Sequence, residues 1–542
     1  MKPITKINNS FALSLCLLAT IFPCRAENSP VVVFNAITIT GSSQTEMGAS
    51  GVAIIDTPAL NQPELLVKLR HLIGQPITRE SLQNLLVVVN TQLAASGETF
   101  SVASLPEQDI STGQLKVLVT SSSVGQVRIQ NTGAGSFSTD YYRALLRIQP
   151  GDVLVADRLD DEIDWISRSN PYRNAQVKVQ PGQQTGQTDL EVIVNDRRPY
   201  SFSVGYDNSG SSTTGRDRYT FNAGWGKAFG LDHQLNYTLN ASADLDKFQS
   251  HNLGYVIPLP WHHLLSLSAN ASQIRPALPS PFNQYGNSSG LNLRYDAPLK
   301  KTGAYTHNVN FGFDYKRSDN NLLFSQTPVT NTQTEILQFN LGYTGTLKDG
   351  IGQTTANANW VHSPGNIGAN NNDAAFNATR SGATAAYNYL QWGIDRTTEL
   401  PRDWKWTIKG TFQHSDSNLL GSEQLSGGGV SSVRGFADAI AFGDEGHIVR
   451  TELLTPFMQI SAGEGKTVQF QGLVFYDDAR LNNKRLIAGE AANSHLSSFG
   501  VGIRLSMQNN ISLRIDAGKQ SYNDVAGSTP TNLVHVALNA TF

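Results

Sequence analysis

From about residue 198 to its end, the chain alternates apolar and polar residues with a period of two. Between Tyr200 and Asp207, tyrosine, phenylalanine and valine share one face, whereas serine, glycine and aspartate share the other. Residues 309–315 and 337–343 repeat this alternation. A soluble sandwich also alternates, because it buries one face of each sheet and exposes the other. Here the apolar faces are rich in aromatic residues and the segments run about ten residues, which favours transmembrane strands.

We count about sixteen such segments, and an even number is expected of a bacterial single-chain barrel. They are predicted to begin near residues 199, 217, 234, 248, 263, 287, 304, 334, 351, 381, 403, 446, 467, 497, 510 and 532. The sequence therefore predicts a sixteen-stranded antiparallel transmembrane β-barrel over residues 198–542.

The last predicted strand, residues 533–542, ends the chain with Phe542 on its apolar face. This arrangement resembles the signal by which outer-membrane barrels are recognised for insertion, and it implies contact with the barrel assembly machinery during biogenesis. The alternative is an ordinary edge strand that happens to end in phenylalanine. We favour the outer-membrane interpretation, because closure of a barrel removes the aggregation-prone edge.

The residues before the barrel mix helical and strand patterns, and the pattern occurs twice. The first copy is predicted to contain a strand over 31–41, helices over 63–74 and 78–97, and strands over 100–105 and 114–120. The second copy is predicted to contain a strand over 125–133, helices over 140–146 and 158–167, and strands over 174–180 and 189–195. Two copies of one small α/β unit, of the order β-α-α-β-β, are therefore expected. A repeat of this kind decides the fold assignment.

The second copy carries a recognisable run of residues, Ser169-Asn170-Pro171-Tyr172-Arg173, followed by Val179-Gln180-Pro181-Gly182 and Gly186-Gln187-Thr188-Asp189-Leu190. Asn-Pro and Pro-Gly mark loops in any protein. In this order and at this spacing, however, they resemble the second POTRA domain of two-partner secretion transporters. The resemblance implies a first POTRA domain over 31–121 and a second over 122–197. An exposed strand edge of such a domain can pair with an unfolded client by β-augmentation.

The chain begins with a basic segment, continues with an apolar run over residues 11–22 and reaches the small residue Ala26. These features predict a signal peptide over residues 1–26, and the apolar run is too short to span a bilayer. Acylation at Cys24, as in a lipoprotein, is a weaker alternative because bulky residues precede it. The other cysteine, Cys16, also lies in the leader, so the mature chain is expected to contain no disulfide and no thiolate metal site.

The charge balance gives no sign of a nucleic-acid surface. The chain has 41 basic and 44 acidic residues. Without Lys2, Lys6 and Arg25 of the leader, 38 basic residues stand against the same 44, a net charge of −6. Nucleic-acid-binding domains are typically basic. Outside the leader no apolar run approaches the length of a membrane-spanning helix, so a membrane location requires a β-barrel.

The number of predicted strands indicates on which side of the membrane each loop lies. If the repeated units lie in the periplasm, odd-numbered strands run outward and the eleventh ends near His414. The loop over 416–445 then starts on the outer side, and at about thirty residues it is long enough to suggest a function. This loop contains the four candidate residues Val433, Arg434, Gly435 and Phe436.

The thirteenth predicted strand supplies a candidate partner for the loop arginine. Its glutamines, Gln469 and Gln471, share one face with Phe475 and Asp477, and this face suits the lumen. A lone carboxylate in a confined lumen costs free energy unless it is paired or hydrated, and an arginine can bind it in a bidentate fashion. We therefore expect Arg434 to meet Asp477. The alternatives are a solvated loop arginine and a porin-like lumen charge.

Together, Val-Arg-Gly-Phe after strand eleven and Phe475-x-Asp477 on strand thirteen resemble the paired motifs of two-partner secretion transporters of the TpsB type. The resemblance covers nearly all of the mature chain. It implies two POTRA domains in the periplasm, a sixteen-stranded barrel in the outer membrane of a Gram-negative bacterium, and an inward-folding loop. It also implies export of a large secreted partner protein, such as an adhesin or haemolysin, which binds through the POTRA domains. The remaining implied partner is outer-membrane lipid.

One feature departs from many members of that family, which begin with a helix that plugs the pore. Only residues 27–30 lie between the predicted leader and the first predicted strand. We therefore expect no plug helix, and another element, such as the loop over 416–445, would limit leakage.

The sequence contains no complete catalytic motif, so we expect neither enzyme activity nor a cofactor. Residues 286–290 fit the nucleophile-elbow pattern, but a strand and not a helix follows. Gly465-Lys466-Thr467 lacks the first glycine of a phosphate loop, because Ile460 takes its place. The histidines at 262, 263 and 447 have no companions at metal-ligand spacing. Two other functions remain open: an assembly factor that inserts other barrels, although such proteins usually carry more POTRA domains, and a passive porin.

Overall fold

The computed structural model describes residues 31–133, 137–184, 186–325, 327–461, 467–485, 489–508, 510–525 and 532–542. The predicted signal peptide and residues 27–30 lie outside the described residues. The chain divides into two compact units, with the boundary between Ser122 and Ser123. Among the described residues, no helix is long and apolar enough to cross a membrane.

The first unit is a small α/β module. Its elements are β1 (Ala36–Thr40), β2 (Gly51–Ile55), α1 (Pro63–Arg70), α2 (Arg79–Ala95), β3 (Val102–Ser104) and β4 (Gln114–Thr120), with a short 3-10 turn at Pro58–Leu60. The sheet order is β2-β1-β4-β3. Helix α2 starts at a capping box, in which the side chains and backbone amides of Thr78 and Ser81 bond reciprocally. Leu65, Leu85 and Leu93 pack on the sheet and are fully buried.

Strand β2 is an element that the sequence pattern missed. Its five residues pair in parallel with β1, and so short an apolar run becomes a strand only through such a pairing. The first module is therefore β-β-α-α-β-β rather than the β-α-α-β-β order expected from sequence.

The second unit begins with a module of the same design. Its elements are β5 (Ser123–Asn131), α3 (Thr139–Leu145), α4 (Ala156–Arg168), β6 (Arg173–Pro181) and β7 (Gln187–Asp196). Strand β7 pairs in parallel with β5 and antiparallel with β6, as β4 pairs with β1 and β3 in the first module. The predicted repeat is therefore present, with β2 as an addition at the edge of the first copy.

The remaining chain forms a closed antiparallel barrel. Its strands are β8 (Tyr200–Asp207), β9 (Arg218–Trp225), β10 (Gln234–Ser242), β11 (Phe248–Pro258), β12 (Leu264–Ile274), β13 (Phe282–Pro298), β14 (Tyr305–Phe324), β15 (Thr327–Asp349), β16 (Gly352–Pro364), β17 (Ala386–Glu399), β18 (Lys405–Ser415), β21 (Glu445–Leu454), β22 (Met458–Ser461), β23 (Thr467–Asn482), β24 (Asn493–Met507), β25 (Ile511–Asn523) and β26 (Val534–Thr541). Both β21 and β22 pair with β23, so they are two pieces of one strand. The barrel has sixteen strands, as predicted, and β26 closes it by pairing with β8.

Three strand starts differ clearly from the predicted positions. The sixth and eighth strands begin at Phe282 and Thr327, earlier than predicted, because the β13–β14 and β14–β15 hairpins continue with mixed, mostly polar residues. The tenth begins at Ala386, later than predicted, because the preceding residues bond back to a helix, α5 (Asp373–Thr379): the amides of Gly382 and Ala385 donate to the side chains of Asn377 and Asp373. Two short loop strands, β19 (Leu425–Gly427) and β20 (Ala441–Gly443), were also not anticipated.

The side chains of the barrel strands point alternately outward and into the lumen, as the sequence alternation predicts. Phe311, Trp392 and Phe499 are exposed on the outer surface, whereas Asn340 and Gln471 are buried in the lumen. In a bilayer the exposed apolar faces contact lipid, and the polar residues on alternate positions line the interior.

The second module is joined to one end of the barrel, which we call the module end. Arg173, at the start of β6, is buried; its two terminal nitrogens bind Asp232 at 2.9 Å each, and its Nε binds Asp196 at 3.0 Å. Asp232 lies in the turn between β9 and β10. Tyr141 donates to the same carboxylate at 2.7 Å, and the Asn170 amide donates to the Gly226 carbonyl at 2.7 Å. Residues 169–173, which read as turn residues in the sequence, therefore form a charged joint.

A histidine contributes to the same joint. His262, in the turn between β11 and β12, stacks on Trp165 of α4 with ring centroids 4.8 Å apart. Its Nε2 lies 3.2 Å from the Leu145 carbonyl oxygen. Burial lowers the pKa of His262, although the Glu162 carboxylate 3.8 Å away favours the protonated form. The stacked arrangement therefore favours the neutral imidazole.

Replacing Asp232 by alanine is expected to loosen the joint, because the Arg173 guanidinium then keeps only Asp196. Removing one partner of a buried pair costs about 3–5 kcal/mol. Arg197 and Arg198 follow β7 and are exposed, so trypsin should cut the bond between them roughly tenfold faster or more. The control is Glu191→Gln, which weakens only a solvent-accessible contact with Lys178 and keeps every trypsin site. Equal cleavage of Asp232→Ala and wild type would contradict the role of this pair.

Acidification is expected to weaken the His262 contact. The pKa of His262 is lower in the folded state than in the unfolded chain. Its contribution to folding stability is therefore fully present above the ordinary histidine pKa of about 6.5 and is lost as pH falls below that value. Between about pH 7.5 and 5.5 the thermal midpoint followed by tryptophan fluorescence should drop by roughly 2–4 °C more in wild type than in His262→Gln. The same pH dependence in both proteins would rule out His262 as its source.

Candidate functional site

The loop between β18 and β21, residues 416–444, folds into the lumen. Strands β19 and β20 pair within it as a small hairpin. An apolar cluster joins the loop to the barrel wall; its buried members are Leu425, Val433, Phe436, Ala441, Ile448, Ala479, Leu481 and Leu496. Val433 and Phe436 are fully buried. These contacts hold the loop against the inner faces of β21, β23 and β24.

Arg434 is fully buried and binds Asp477 on β23. Its Nε and Nη2 lie 2.7 Å from the two carboxylate oxygens, and its backbone amide donates to the same carboxylate at 3.1 Å. The structure thus brings together the two charges that strand parity pointed to. The Phe475 ring lies 3.6 Å from the Arg434 guanidinium carbon, in a cation–π arrangement.

Two further carboxylates face Arg434, and sequence analysis did not single them out. Its Nη1 donates to Glu452 of β21 at 2.5 Å and lies 3.7 Å from Asp516 of β25. Asp516 is itself held by Arg504 at 2.8 Å and Arg514 at 2.5 Å. Glu452, Asp516, Arg504 and Arg514 all lie at lumen-facing positions of their strands. Alternation could therefore have identified them as lumen residues, but it could not show which charges contact each other. Because Glu452, Asp477 and Asp516 lie on three different strands, their meeting depends on barrel register.

Gly435 occupies a position that other residues cannot take without strain. Its φ is +85°, and an added Cβ would lie 2.8 Å from the carbonyl oxygen of Gly518 on β25. Its backbone amide donates to His535 of β26 at 3.1 Å, and its carbonyl accepts from the Gln520 side chain at 3.0 Å. The loop backbone therefore approaches the wall closely only because both residues are glycines.

The loop is also bonded to another part of the wall. Glu423 is buried; its carboxylate accepts from Lys316 of β14 at 2.6 Å, Gln338 of β15 at 3.1 Å and Tyr389 of β17 at 3.0 Å. Together with Arg434, this contact extends the loop across the lumen between two groups of strands. Sequence analysis did not identify Glu423, because its partners lie on strands far away along the chain.

The predicted terminal signal residue lies at the barrel seam. Phe542 is 76% exposed, and its backbone exchanges hydrogen bonds with Phe202 of β8. Among the enzyme-like motifs, residues 286–290 lie inside β13, where no strand-turn-helix can form. Gly465 and Lys466 lie outside the described residues.

Gly435→Ala is expected to displace the loop, since it adds both φ strain and a clash with Gly518. A Val433→Cys reporter tests this, because the described chain contains no cysteine and Val433 is fully buried. A membrane-impermeant maleimide should label the reporter about tenfold faster or more when Gly435→Ala is also present. Gly421→Ala is a suitable control, as a Cβ there has open space. Unchanged labelling in the Gly435 variant would show that the loop tolerates the change.

Comparison with known proteins agrees with this architecture. A family model described as haemolysin secretion/activation protein ShlB/FhaC/HecB matches residues 186–505. A model of the ShlB-type POTRA domain matches residues 49–122. These matches confirm the predicted resemblance.

Individual relatives are more distant in sequence. The heme/hemopexin transporter protein HuxB of Haemophilus influenzae (strain 86-028NP) is 24% identical over 485 residues, which are 85% of this chain and 81% of that protein. The outer membrane transporter CdiB of Dickeya dadantii (strain 3937) is 24% identical over 382 residues, 69% of this chain and 66% of that protein. The solved structure of CdiB from Escherichia coli aligns with a TM-score of 0.78 at 19% identity, covering 96% of this chain and 93% of that one.

The last comparison supports the fold, and the first family model spans more than half of the chain. The module end of the barrel accordingly faces the periplasm and its far end faces outward. The chain therefore belongs to the ShlB/FhaC/HecB family and is a two-partner secretion transporter of the outer membrane.

Proposed function

We propose that the contact of Arg434 with Asp477 holds the loop over residues 416–444 in its working position during export. The observation that carries this proposal is the complete burial of Arg434, with charged partners on three barrel strands. Removing a guanidinium from water is costly unless its donors are satisfied. The loop therefore has one strongly preferred position. If the loop moved out of this position, Arg434 would lose its contacts with all of these carboxylates at once.

The cargo is, we propose, a large secreted partner protein such as an adhesin or haemolysin, which arrives unfolded in the periplasm. Relatives are named as transporters of heme/hemopexin and of hemolysin, and the cargo of this chain belongs to the same broad class of secreted proteins. Export needs no chemical reaction catalysed by the transporter, because a long β-helical cargo that has folded outside the cell cannot readily return through the barrel. The transporter then requires neither a cofactor nor catalysis.

The POTRA domains, with proposed limits of 31–121 and 122–197, are the binding site for the cargo. In the second domain β6 forms one edge of the sheet, and most of its residues from Val177 onward are exposed. Backbone pairing at such an edge needs little sequence specificity, which suits a long extended chain. The joint at Arg173 and Asp232 keeps this edge at the module end, beside the entrance to the barrel over 198–542.

Contacts with the membrane and with the insertion machinery complete the proposal. The exposed aromatic faces of the strands contact outer-membrane lipid, and the exposed terminal residue Phe542 offers the barrel assembly machinery a recognition point at the seam. These contacts serve biogenesis and are separate from the loop contact.

Export by Arg434→Ala and Asp477→Ala variants is expected to fall about tenfold or more, because each change removes the two-nitrogen contact that holds a buried charge. Secreted cargo is measured in the culture medium, and heat-modifiable migration on gels shows that the barrel has folded. Arg434→Lys should also be impaired, since an ammonium cannot reproduce the bidentate contact. The double variant should lose little more than either single variant, because the two residues act as a pair.

Arg317→Ala is the matched control for the export assay. Arg317 also lies near a carboxylate, 3.6 Å from Asp319, but it is exposed on the outer face of β14. Its loss should leave export unchanged. Undiminished export by folded Arg434→Ala and Asp477→Ala barrels would refute the proposed role.

A further inference from the structure

The connection between β16 and β17, residues 365–385, enters the lumen at the outer end of the barrel. Phe376 of α5 is fully buried in an apolar cluster. Its neighbours there include Ile336 and Tyr387, which lie on lumen-facing positions of β15 and β17, and Leu419 and Leu420 of the loop over 416–444. Helix α5 of this connection and the loop over 416–444 therefore pack on each other inside the barrel.

Hydrogen bonds fix the shape of this connection. The Asn372 side chain caps α5 by accepting from the Ala375 amide at 3.0 Å. Asp373 accepts from the Ala385 amide at 2.8 Å, which closes the connection on itself. Asn371 is fully buried and donates to the Glu335 carbonyl of β15 at 2.8 Å. The segment is therefore an ordered element attached to the wall.

Arg380, which follows α5 directly, bonds this segment to two other external loops. Its Nη1 donates to Asp444 and to the Leu419 carbonyl, both at 2.6 Å. Its Nε and Nη2 donate to the two carboxylate oxygens of Glu490, at 3.0 and 2.9 Å, and Nη2 also reaches Asn483 at 3.1 Å. Glu490 and Asn483 belong to the connection between β23 and β24.

Asp444 makes this contact cooperative. It is fully buried and also accepts from the backbone amides of Leu419 and Lys484, both at 2.9 Å. If Arg380 moved away, Asp444 would remain as a buried carboxylate without a cation, which is strongly unfavourable. The three connections therefore tend to stay together or to separate together.

We propose that Arg380 is a positioning residue for export, which holds α5 and Phe376 as a closure at the outer end of the lumen. This inference rests on the proposed passage of cargo through the barrel. A passing chain must separate the packed side chains of α5 from Leu419 and Leu420, and the Arg380 contacts set how readily this happens. The closure is supplied by the outer connections, whereas the sequence pointed only to the loop over 416–444.

The test measures leakage without any cargo. Full-length transporter is placed in planar lipid bilayers, and the fraction of time spent in conducting states is recorded for wild type, Arg380→Ala and Phe376→Ala. Both variants should conduct about tenfold more often or more, because one loses the Arg380 hydrogen bonds and the other loses the Phe376 packing that hold the closure. Cells carrying them should become sensitive to vancomycin, which an intact outer membrane excludes.

Matched variants separate closure from general damage. Arg396→Ala removes a similar two-nitrogen contact, with Asp349 at 2.5 and 3.2 Å, on β17 but away from the outer loops, and should conduct like wild type. Arg380→Lys keeps the charge and should fall between wild type and Arg380→Ala. If the loss of Arg380 prevents folding, Phe376→Ala carries the same test, because it leaves no buried charge.

Wild-type conductance in folded Phe376→Ala and Arg380 variants would overturn the inference. A leak in these variants, together with normal export by Arg434→Ala, would support the closure while refuting the proposed role of Arg434. The two proposals therefore fail separately.

Discussion

The need to pair one buried guanidinium organises the lumen of this barrel. Arg434 is held among carboxylates on β21, β23 and β25, and its burial is tolerable only while these groups face inward together. Side chains alternate along a strand, so a slip of one residue would turn a carboxylate toward lipid. Barrel register and loop position are therefore one constraint. The close approach of Gly435 to Gly518 belongs to it as well.

The same physical device recurs at both ends of the barrel. At the periplasmic end, buried Arg173 joins the second POTRA domain to the turn before β10 through Asp232. At the outer end, Arg380 joins three connections through Asp444 and Glu490. In each case an arginine from one element finds its carboxylates on others, and an aromatic or apolar packing contact lies beside it. Such contacts are weak sources of net stability but strongly favour one arrangement.

This arrangement suits the proposed closure of the pore at rest and its proposed opening during export. Apolar packing alone would allow the loop several similar positions. A buried ion pair allows only one, because its hydrogen bonds are either all formed or all broken. The loop over 416–444 carries contacts of both kinds, through Glu423 to one part of the wall and through Arg434 to another. The segment between these two contacts packs against the wall through Leu425 and Val433.

The sequence by itself determined the local features. Its alternation predicted the strands and the inward face of Asp477, its repeat predicted two similar modules, and strand counting selected the loop that carries Arg434. It could not reveal β2, α5, or the roles of Arg173 and Arg380. Periodicity reports which way a residue faces within its own segment. Which charges meet depends on pairings between strands and loops far apart along the chain, and only the closed tertiary structure decides those.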